Sequence, residues 1–305
     1  MTRDARPLYH PRYWLTWLGL GLWALVVQLP YGWQVVLARG LGRLAWRWAP
    51  KRRDTAMRNL ALCYPEKSPQ EREQMARATL RNTTLALFET GMAWFWPRWR
   101  LLRLFNIEGL EHLRSARDQN QGVLLLGMHF TNLDLGAKFV CLHHSIDGLY
   151  RPHNNPVYDR VQRWGRERHS GGIAIAREDL RFMLKRLREG RVAWYAPDQD
   201  YGAKRPHLFA PFFGVPAATV TSTAQLARAG RAQVIPFTHT RLSDKGRYQV
   251  TLYPPLTDFP SGDEQADAER INRFVEARVR ECPEQYLWVH RRFKTRPPGE
   301  PPLYQ

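Results

Sequence analysis

Val123-Leu124-Leu125-Leu126-Gly127-Met128 is an unbroken apolar run. A short run with no polar alternation reads as a strand buried on both faces. Further strand candidates are residues 105–110, a short strand ending at 148–151, and residues 192–196, 233–239 and 248–253. Between and around them lie helical patterns at 133–142, 156–168, 179–189 and 266–281, the third closed by Gly190. A longer helix opens at Ser68-Pro69-Gln70-Glu71, where Ser68 and Glu71 form a capping box, and runs through Phe95 to a stop at Pro97. Strands alternating with helices indicate an α/β fold: a mixed, mostly parallel central sheet flanked by helices. The chain carries no internal repeat, and 305 residues suffice for one large domain or two small ones.

The buried run delivers His129-Phe130-Thr131-Asn132-Leu133-Asp134. A histidine at a strand end can take a proton from a hydroxyl, and a carboxylate beside it can fix its tautomer and stabilise the imidazolium. Five residues along one helix would set His129 and Asp134 about 140° apart. His129 is therefore expected in the turn, with Asp134 folded back from a helix capped by Thr131 or Asn132. The alternative is a buried histidine followed by an aspartate favoured by the helix dipole.

Three more polar turns follow strands. Tyr150-Arg151-Pro152-His153-Asn154-Asn155-Pro156 offers Arg151 for bidentate contact with a phosphate or carboxylate. Trp164 to Gly172 is basic and contains Arg166. Ala196-Pro197-Asp198-Gln199-Asp200-Tyr201-Gly202 sets two carboxylates in a tight turn. Each has a bland reading as a solvated turn, but four such turns after four strands match where α/β sheets bind ligands. No Gly-x-Ser-x-Gly elbow, Gly-Lys-Ser/Thr loop or metal-ligand spacing occurs. With a base and no evident protein nucleophile, the nucleophile is expected to be a substrate hydroxyl.

Residues 13–29 carry no charge, with Trp14 and Trp17 near one end and Tyr31 and Trp33 near the other. This reads as a membrane-anchoring helix at the short end of spanning length, the alternative being a buried helix hairpin. Residues 34–48 repeat Arg39, Arg43 and Arg47 beside apolar positions, a basic amphipathic helix suited to anionic lipid. Arg3, Arg6 and Arg12 precede the apolar run, and a larger cluster ending in Lys51-Arg52-Arg53 follows it. The rest of the chain should therefore face the cytoplasm. The division expected is an anchor over 1–53 and a catalytic domain over 54–305. Lys plus Arg number 46 against 28 Asp plus Glu, a net charge of +18, which calls for an anionic partner. Twelve tryptophans, many beside arginines, suit a membrane interface or single-stranded nucleic acid. Three dispersed cysteines support neither a disulfide framework nor a zinc ribbon.

In order along the chain, His129-x4-Asp134, Arg151, the Asp198 turn and Val234-Ile235-Pro236 resemble the four blocks of the His-x4-Asp acyltransferases. Longer strings are similar to the late acyltransferases of lipid A biosynthesis, the lauroyl, palmitoleoyl and myristoyl transferases. They are the stretch from His10 to Trp17, Glu89-Thr90-Gly91-Met92-Ala93-Trp94-Phe95-Trp96-Pro97, the Arg151 and Asp198 turns, and Pro283-Glu284-Gln285-Tyr286-Leu287-Trp288-Val289-His290-Arg291-Arg292-Phe293-Lys294-Thr295-Arg296-Pro297.

That resemblance implies a glycerolipid-acyltransferase-like fold and transfer of an acyl chain from acyl carrier protein to a 3-hydroxyacyl hydroxyl of a Kdo-bearing lipid A precursor. No cofactor, metal or nucleic acid is implied. An inner-membrane location with a single N-terminal anchor and a cytoplasmic active site is implied, and a monomer is expected. His129 and Asp134 would be catalytic, with Asp134 holding His129. Arg166, Asp198, Arg151, Asp200 and Asn154 would contact substrate, Asp198 most simply by orienting Arg166. The apolar residues around Glu89 would line an acyl groove or pack the core. The alternatives are a lysophospholipid (1-acylglycerol-3-phosphate) acyltransferase and, outside enzymes, a basic membrane-associated nucleic-acid-binding protein.

Overall fold

The computed structural model describes residues 7–304; Arg3 and Arg6 lie outside the described residues. A turn of 3-10 helix at Pro11–Tyr13 leads into α1 (Trp14–Val26), α2 (Tyr31–Trp48), α3 (Pro50–Cys63), α4 (Pro69–Phe95) and the short α5 (Arg98–Leu101). The α/β part then runs β1 (Phe105–Glu108), α6 (Leu110–Asp118), β2 (Gly122–Leu126), α7 (Leu133–Cys141), β3 (Ile146–Tyr150), α8 (Pro156–Glu167), β4 (Ala174–Ala176), α9 (Leu180–Arg188) and β5 (Val192–Tyr195). It closes with β6 (His207–Phe212), β7 (Val215–Val220), α10 (Ser222–Gly230), β8 (Ala232–Ser243), β9 (Arg247–Leu252) and α11 (Glu264–Glu281).

The central sheet has the order β1-β9-β8-β2-β5-β3-β4. Every pairing is parallel except β8 with β9, so the mixed, mostly parallel sheet read from the sequence is the one observed. All five residues of β2 are buried, flanked by β8 and β5 with helices over both faces. That is the environment an unalternating apolar strand requires. Strands β6 and β7 form a separate antiparallel hairpin.

Helix α4 starts as its sequence predicts. Glu71 N–H donates to Ser68 Oγ at 3.2 Å and Ser68 N–H to Glu71 Oε2 at 2.7 Å. It is also the platform for the N-terminal helices. Gly91 permits this, because a Cβ there would lie 2.5 Å from Val27 Cγ1. Trp23 Nε1 donates to Leu87 O at 3.0 Å, and Trp96 Nε1 to Val27 O at 2.7 Å.

The uncharged stretch does not form one long helix. α1 has 13 residues, roughly 20 Å at 1.5 Å per residue, against a hydrocarbon core of about 30 Å. Pro30 then starts α2, and Gln34 Nε2 pins the corner by donating to Val27 O and Leu29 O. Among the described residues no helix is long and apolar enough to cross a membrane, which corrects the spanning form of the anchor. The hairpin buries Leu20, Val27 and Val35 and leaves Trp14, Leu15, Leu18, Leu22, Leu25, Trp33, Leu44 and Trp48 exposed.

Glu89 belongs to the core, not to a groove. It is fully buried and forms a forked ion pair with Arg241 of β8 at 2.8 and 2.9 Å. Tyr248 of β9 donates to the same carboxylate at 2.6 Å and lies 3.0 Å from the Tyr31 hydroxyl of α2. Arg241 also donates to Asn82 Oδ1 at 2.8 Å, and its backbone exchanges hydrogen bonds with the Gln285 side chain. One buried network thus ties α2, α4, β8, β9 and the C-terminal segment.

Candidate active site

β2 and β5 are neighbours with Leu126 paired to Tyr195. His129 and Asp198 each lie three residues beyond that pair, so the register brings the two turns together. His129 Nδ1 is 2.6 Å from Asp198 Oδ1, and His129 backbone N–H donates to Asp198 Oδ2 at 2.8 Å. Asp198 is buried. Burial raises its pKa, but the His129 charge and hydrogen bonds outweigh burial and hold the carboxyl at about 2. An ionised carboxylate only accepts hydrogen bonds, so Nδ1 carries the proton and the half-buried Nε2 offers a lone pair. The Trp194 ring stands edge-on to the imidazole, centroids 6.3 Å apart.

The loop around His129 is fastened by the C-terminal segment. Leu287 N–H donates to His129 O at 3.0 Å, and Thr131 N–H to Gln285 O at 2.8 Å. Gly127 admits no side chain, since a Cβ would lie 2.6 Å from Trp194 Nε1 and 2.8 Å from Phe237 Cε1.

Asp134, expected to hold His129, does not pair with it. It sits in the first turn of α7 and receives Arg166, Nε to Oδ1 at 2.9 Å and an Nη2 contact to Oδ2 at 3.4 Å. Asp198, expected to orient Arg166, holds the histidine instead. The two carboxylates thus exchange partners relative to the sequence reading: β2–β5 adjacency favours Asp198, and α7 carries Asp134 toward the end of α8. Asn132 occupies the N-cap position of α7 without a side-chain cap; its Oδ1 accepts from His239 Nδ1 at 2.9 Å.

Lys138, one turn beyond Asp134, was missed. It is buried and donates to Gly165 O at 2.9 Å, Arg166 O at 3.0 Å and Arg168 O. A cation on the last carbonyls of α8 opposes the helix dipole favourably, and burial lowers its pKa to about 8. The i,i+4 spacing of Asp134 and Lys138 was the available signal. His290 was also missed. It lines a small recess with His129, and its Nε2 accepts from Asp200 N–H at 3.2 Å. Burial holds its pKa at about 4, hence neutral.

Asp200 is engaged elsewhere. Its buried carboxylate accepts from Gly202 N–H at 2.7 Å and from the Thr295 backbone and hydroxyl at 2.7 and 2.9 Å. Arg151 and Asn154 are exposed. Neither lines the recess beside His129 nor the cavity containing Asp134 and Arg166. The adjacent Asn155 caps α8 and donates to Thr16 of α1 at 2.9 Å.

Asp134, Arg166 and Trp194 line a cavity of about 560 Å³, open mouth included. Its other walls are mostly apolar, among them Trp94, Ala137, Ile146, Leu149 and Ile173. At Gly148, which also lines it, an added Cβ would meet nothing within 4 Å.

Comparison with known proteins follows the same direction. The sequence model for the bacterial lipid A biosynthesis acyltransferases matches residues 1–295. The lipid A biosynthesis lauroyltransferase of Escherichia coli is 46% identical over 305 residues, covering 100% of this chain and 99% of the relative. The palmitoleoyltransferase of that organism is 44% identical, covering 98% and 97%, and its myristoyltransferase is 30% identical, covering 95% and 90%. Among solved structures, the 1-acyl-sn-glycerophosphate acyltransferase of Thermotoga maritima is 11% identical, with a TM-score of 0.39 over 82% of this chain and 97% of that one. Matched end to end, this acyltransferase chain belongs to the bacterial lipid A biosynthesis acyltransferase family.

Proposed function

We infer that the protein moves a fatty acyl chain from the thioester of acyl carrier protein to a 3-hydroxyacyl hydroxyl of a Kdo-bearing lipid A precursor. His129 Nε2 removes the hydroxyl proton as the oxygen attacks the thioester carbonyl. The tetrahedral oxyanion collapses, the carbon–sulfur bond breaks, and the thiolate takes the proton from the imidazolium. No acyl-enzyme forms. Asp198 fixes the histidine tautomer and stabilises the imidazolium, as the acid of a catalytic triad does. Asp134 presents Arg166, whose guanidinium stabilises the oxyanion or binds substrate phosphate. The acyl chain enters the cavity behind Asp134 and Arg166.

The observation that carries this reading is the His129–Asp198 pair with an ionised carboxylate, packed against Trp194, which also lines the mostly apolar cavity that Asp134 and Arg166 line. The exposed apolar faces of α1 and α2 rest on the cytoplasmic surface of the inner membrane as a monotopic anchor over 1–53, beside the catalytic part over 54–305. The test is transfer from acyl carrier proteins bearing C10 to C16 chains to a tetra-acylated, Kdo-bearing precursor. Product with wild type and a loss of about 10²-fold or more in His129→Ala supports the mechanism. No product from any donor refutes the assignment, and a lysophospholipid acceptor is then the next substrate to assay.

A further inference from the structure

Four arginines face one groove away from the candidate active site. Arg39 and Arg43 come from α2, Arg77 and Arg81 from α4, and Gly42 and Ala78 line the groove between them. Gly42 lets the helices close, since a Cβ there would lie 3.0 Å from Arg81 Cα. Trp46 lines one side with the Arg77 guanidinium 4.1 Å over its ring. The groove opens to solvent, encloses roughly 1000 Å³ with its open side, and has no acidic residue in its lining.

Neutralisation of these charges is incomplete. Arg39 pairs with Asp244 at 2.5 Å and Arg77 with Glu73 at 2.7 Å, both at exposed positions. Among the described residues neither Arg43 nor Arg81 has a side-chain partner. Guanidiniums gathered without counter-charge repel one another, so an anion with several acceptor oxygens is the complementary occupant.

The position of the groove identifies the source of that anion. Measured around α2 from Tyr31 at roughly 100° per residue, the buried residues Val35 and Gly42 fall near 20–40°. Arg39, Arg43 and Arg47 fall at about 80–160°, and Trp33, Leu37, Leu44 and Trp48 at about 200–260°. The arginine stripe separates the face packed on α4 from the exposed apolar face. A helix whose apolar face enters a bilayer by about 5–10 Å holds its flanks at headgroup depth.

We propose that the groove binds the phosphomonoester headgroup of an anionic lipid in the membrane on which the protein rests. This depends on the surface placement of α1 and α2 inferred above. A monoester offers three terminal oxygens to guanidinium forks, whereas a phosphodiester offers two. The groove therefore selects for headgroup chemistry as well as for negative charge.

The experiment is co-sedimentation of the full chain with phosphatidylcholine vesicles carrying phosphatidic acid or phosphatidylglycerol, matched for surface potential. Wild type is expected to bind the phosphatidic acid vesicles about tenfold more tightly. Arg43→Gln/Arg81→Gln should weaken that binding about 30-fold, from about a kcal/mol per basic residue near a surface, and abolish the preference. Arg228→Gln/Arg231→Gln, the same charge change on and just after α10, should keep it. Thermal melting of each variant reports folding. A preference absent from wild type, or surviving in Arg43→Gln/Arg81→Gln, overturns the proposal while leaving the membrane placement intact. Failure of wild type to bind any vesicle overturns both. Displacement from vesicles by submillimolar glycerol 3-phosphate would assign the groove to a soluble ester and overturn the lipid assignment. So would calorimetric loss of acyl carrier protein binding in the groove variant with headgroup preference retained.

Discussion

Asp198→Asn separates the two carboxylates most sharply. In the native protein both carboxylate oxygens accept, Oδ1 from His129 Nδ1–H and Oδ2 from His129 backbone N–H. Asparagine has one acceptor. If its oxygen stays with the backbone N–H, its amide N–H₂ faces Nδ1, which must then be the acceptor. The imidazole proton moves to Nε2, and the base is lost. The charge is lost as well. The fall of the carboxyl from 3.8 to about 2 corresponds to about 2–3 kcal/mol. Because burial works against that fall, this figure is a lower bound on the summed attraction of the carboxylate to the imidazolium, the His129 backbone N–H and Arg292. A loss of about 10²-fold follows from charge alone, rising toward 10⁴-fold with the tautomer error. Asp134→Asn leaves His129 and Asp198 untouched and loosens Arg166, so a loss of about 10–10²-fold is expected.

The assay is initial rates over donor and acceptor concentrations, with nitrogen NMR of the histidines to read the tautomer. Asp198→Asn combined with His129→Ala should be no worse than His129→Ala alone. Acid unfolding provides a second readout. The folded pKa of Asp198 lies below its ordinary value, so its stabilisation is complete above about pH 4 and lost as pH falls toward 2. Asp198→Asn removes that slope. Activity of Asp198→Asn within tenfold of wild type, or Asp134→Asn shifting the histidine tautomer, would overturn the pairing of Asp198 with a catalytic His129.

Gly148→Leu fills open space in the cavity wall; donor preference should shift to shorter chains by about fourfold per excluded methylene, read by competition among donors. Glu89→Leu leaves Arg241 buried and unpaired and should cost about 3–5 kcal/mol in denaturant unfolding. The Glu89→Leu/Arg241→Leu pair should cost far less than the sum of the single changes. Lys138 has a folded pKa of about 8 against 10.5, so the unfolded chain binds more protons between those values and stability rises with pH across that window. Lys138→Met should flatten the rise, measured by urea unfolding from pH 7 to 11, and should lower kcat through a displaced Arg166.

The strand carrying His129, the parallel sheet and three of the four polar turns were legible at strand ends because local pattern determines them; the fourth, Trp164 to Gly172, instead closes α8. The partner of His129 was not, because it depends on which strand lies beside β2. The chain between 129 and 134 is contiguous, so Asp134 drew the assignment; strand adjacency supplies Asp198 from 69 residues away. The hairpin of β6 and β7 escaped notice for another reason. Pro211 and Pro216 sit opposite each other in it, and proline within a run argues against a strand. The uncharged residues near the N-terminus misled on length, since an apolar run does not reveal that Pro30 and Gln34 turn the chain back onto α4. Glu89 looked anomalous among apolar neighbours because Arg241, its partner, is remote in sequence.

The hold of Gln285 and Leu287 on the loop around His129 also orders events during synthesis. Helices α1 and α2 leave the ribosome before the α/β part, and the histidine emerges long before the segment that secures it. With Gln285 156 residues after His129, that interval lasts roughly 10–30 s at elongation rates of about 5–20 residues per second. Through it the nascent chain already carries its apolar N-terminal helices and His129, yet lacks the backbone partners of His129 and Thr131. On the proposed membrane placement, a nascent chain that docks early would therefore do so before the candidate active site is complete.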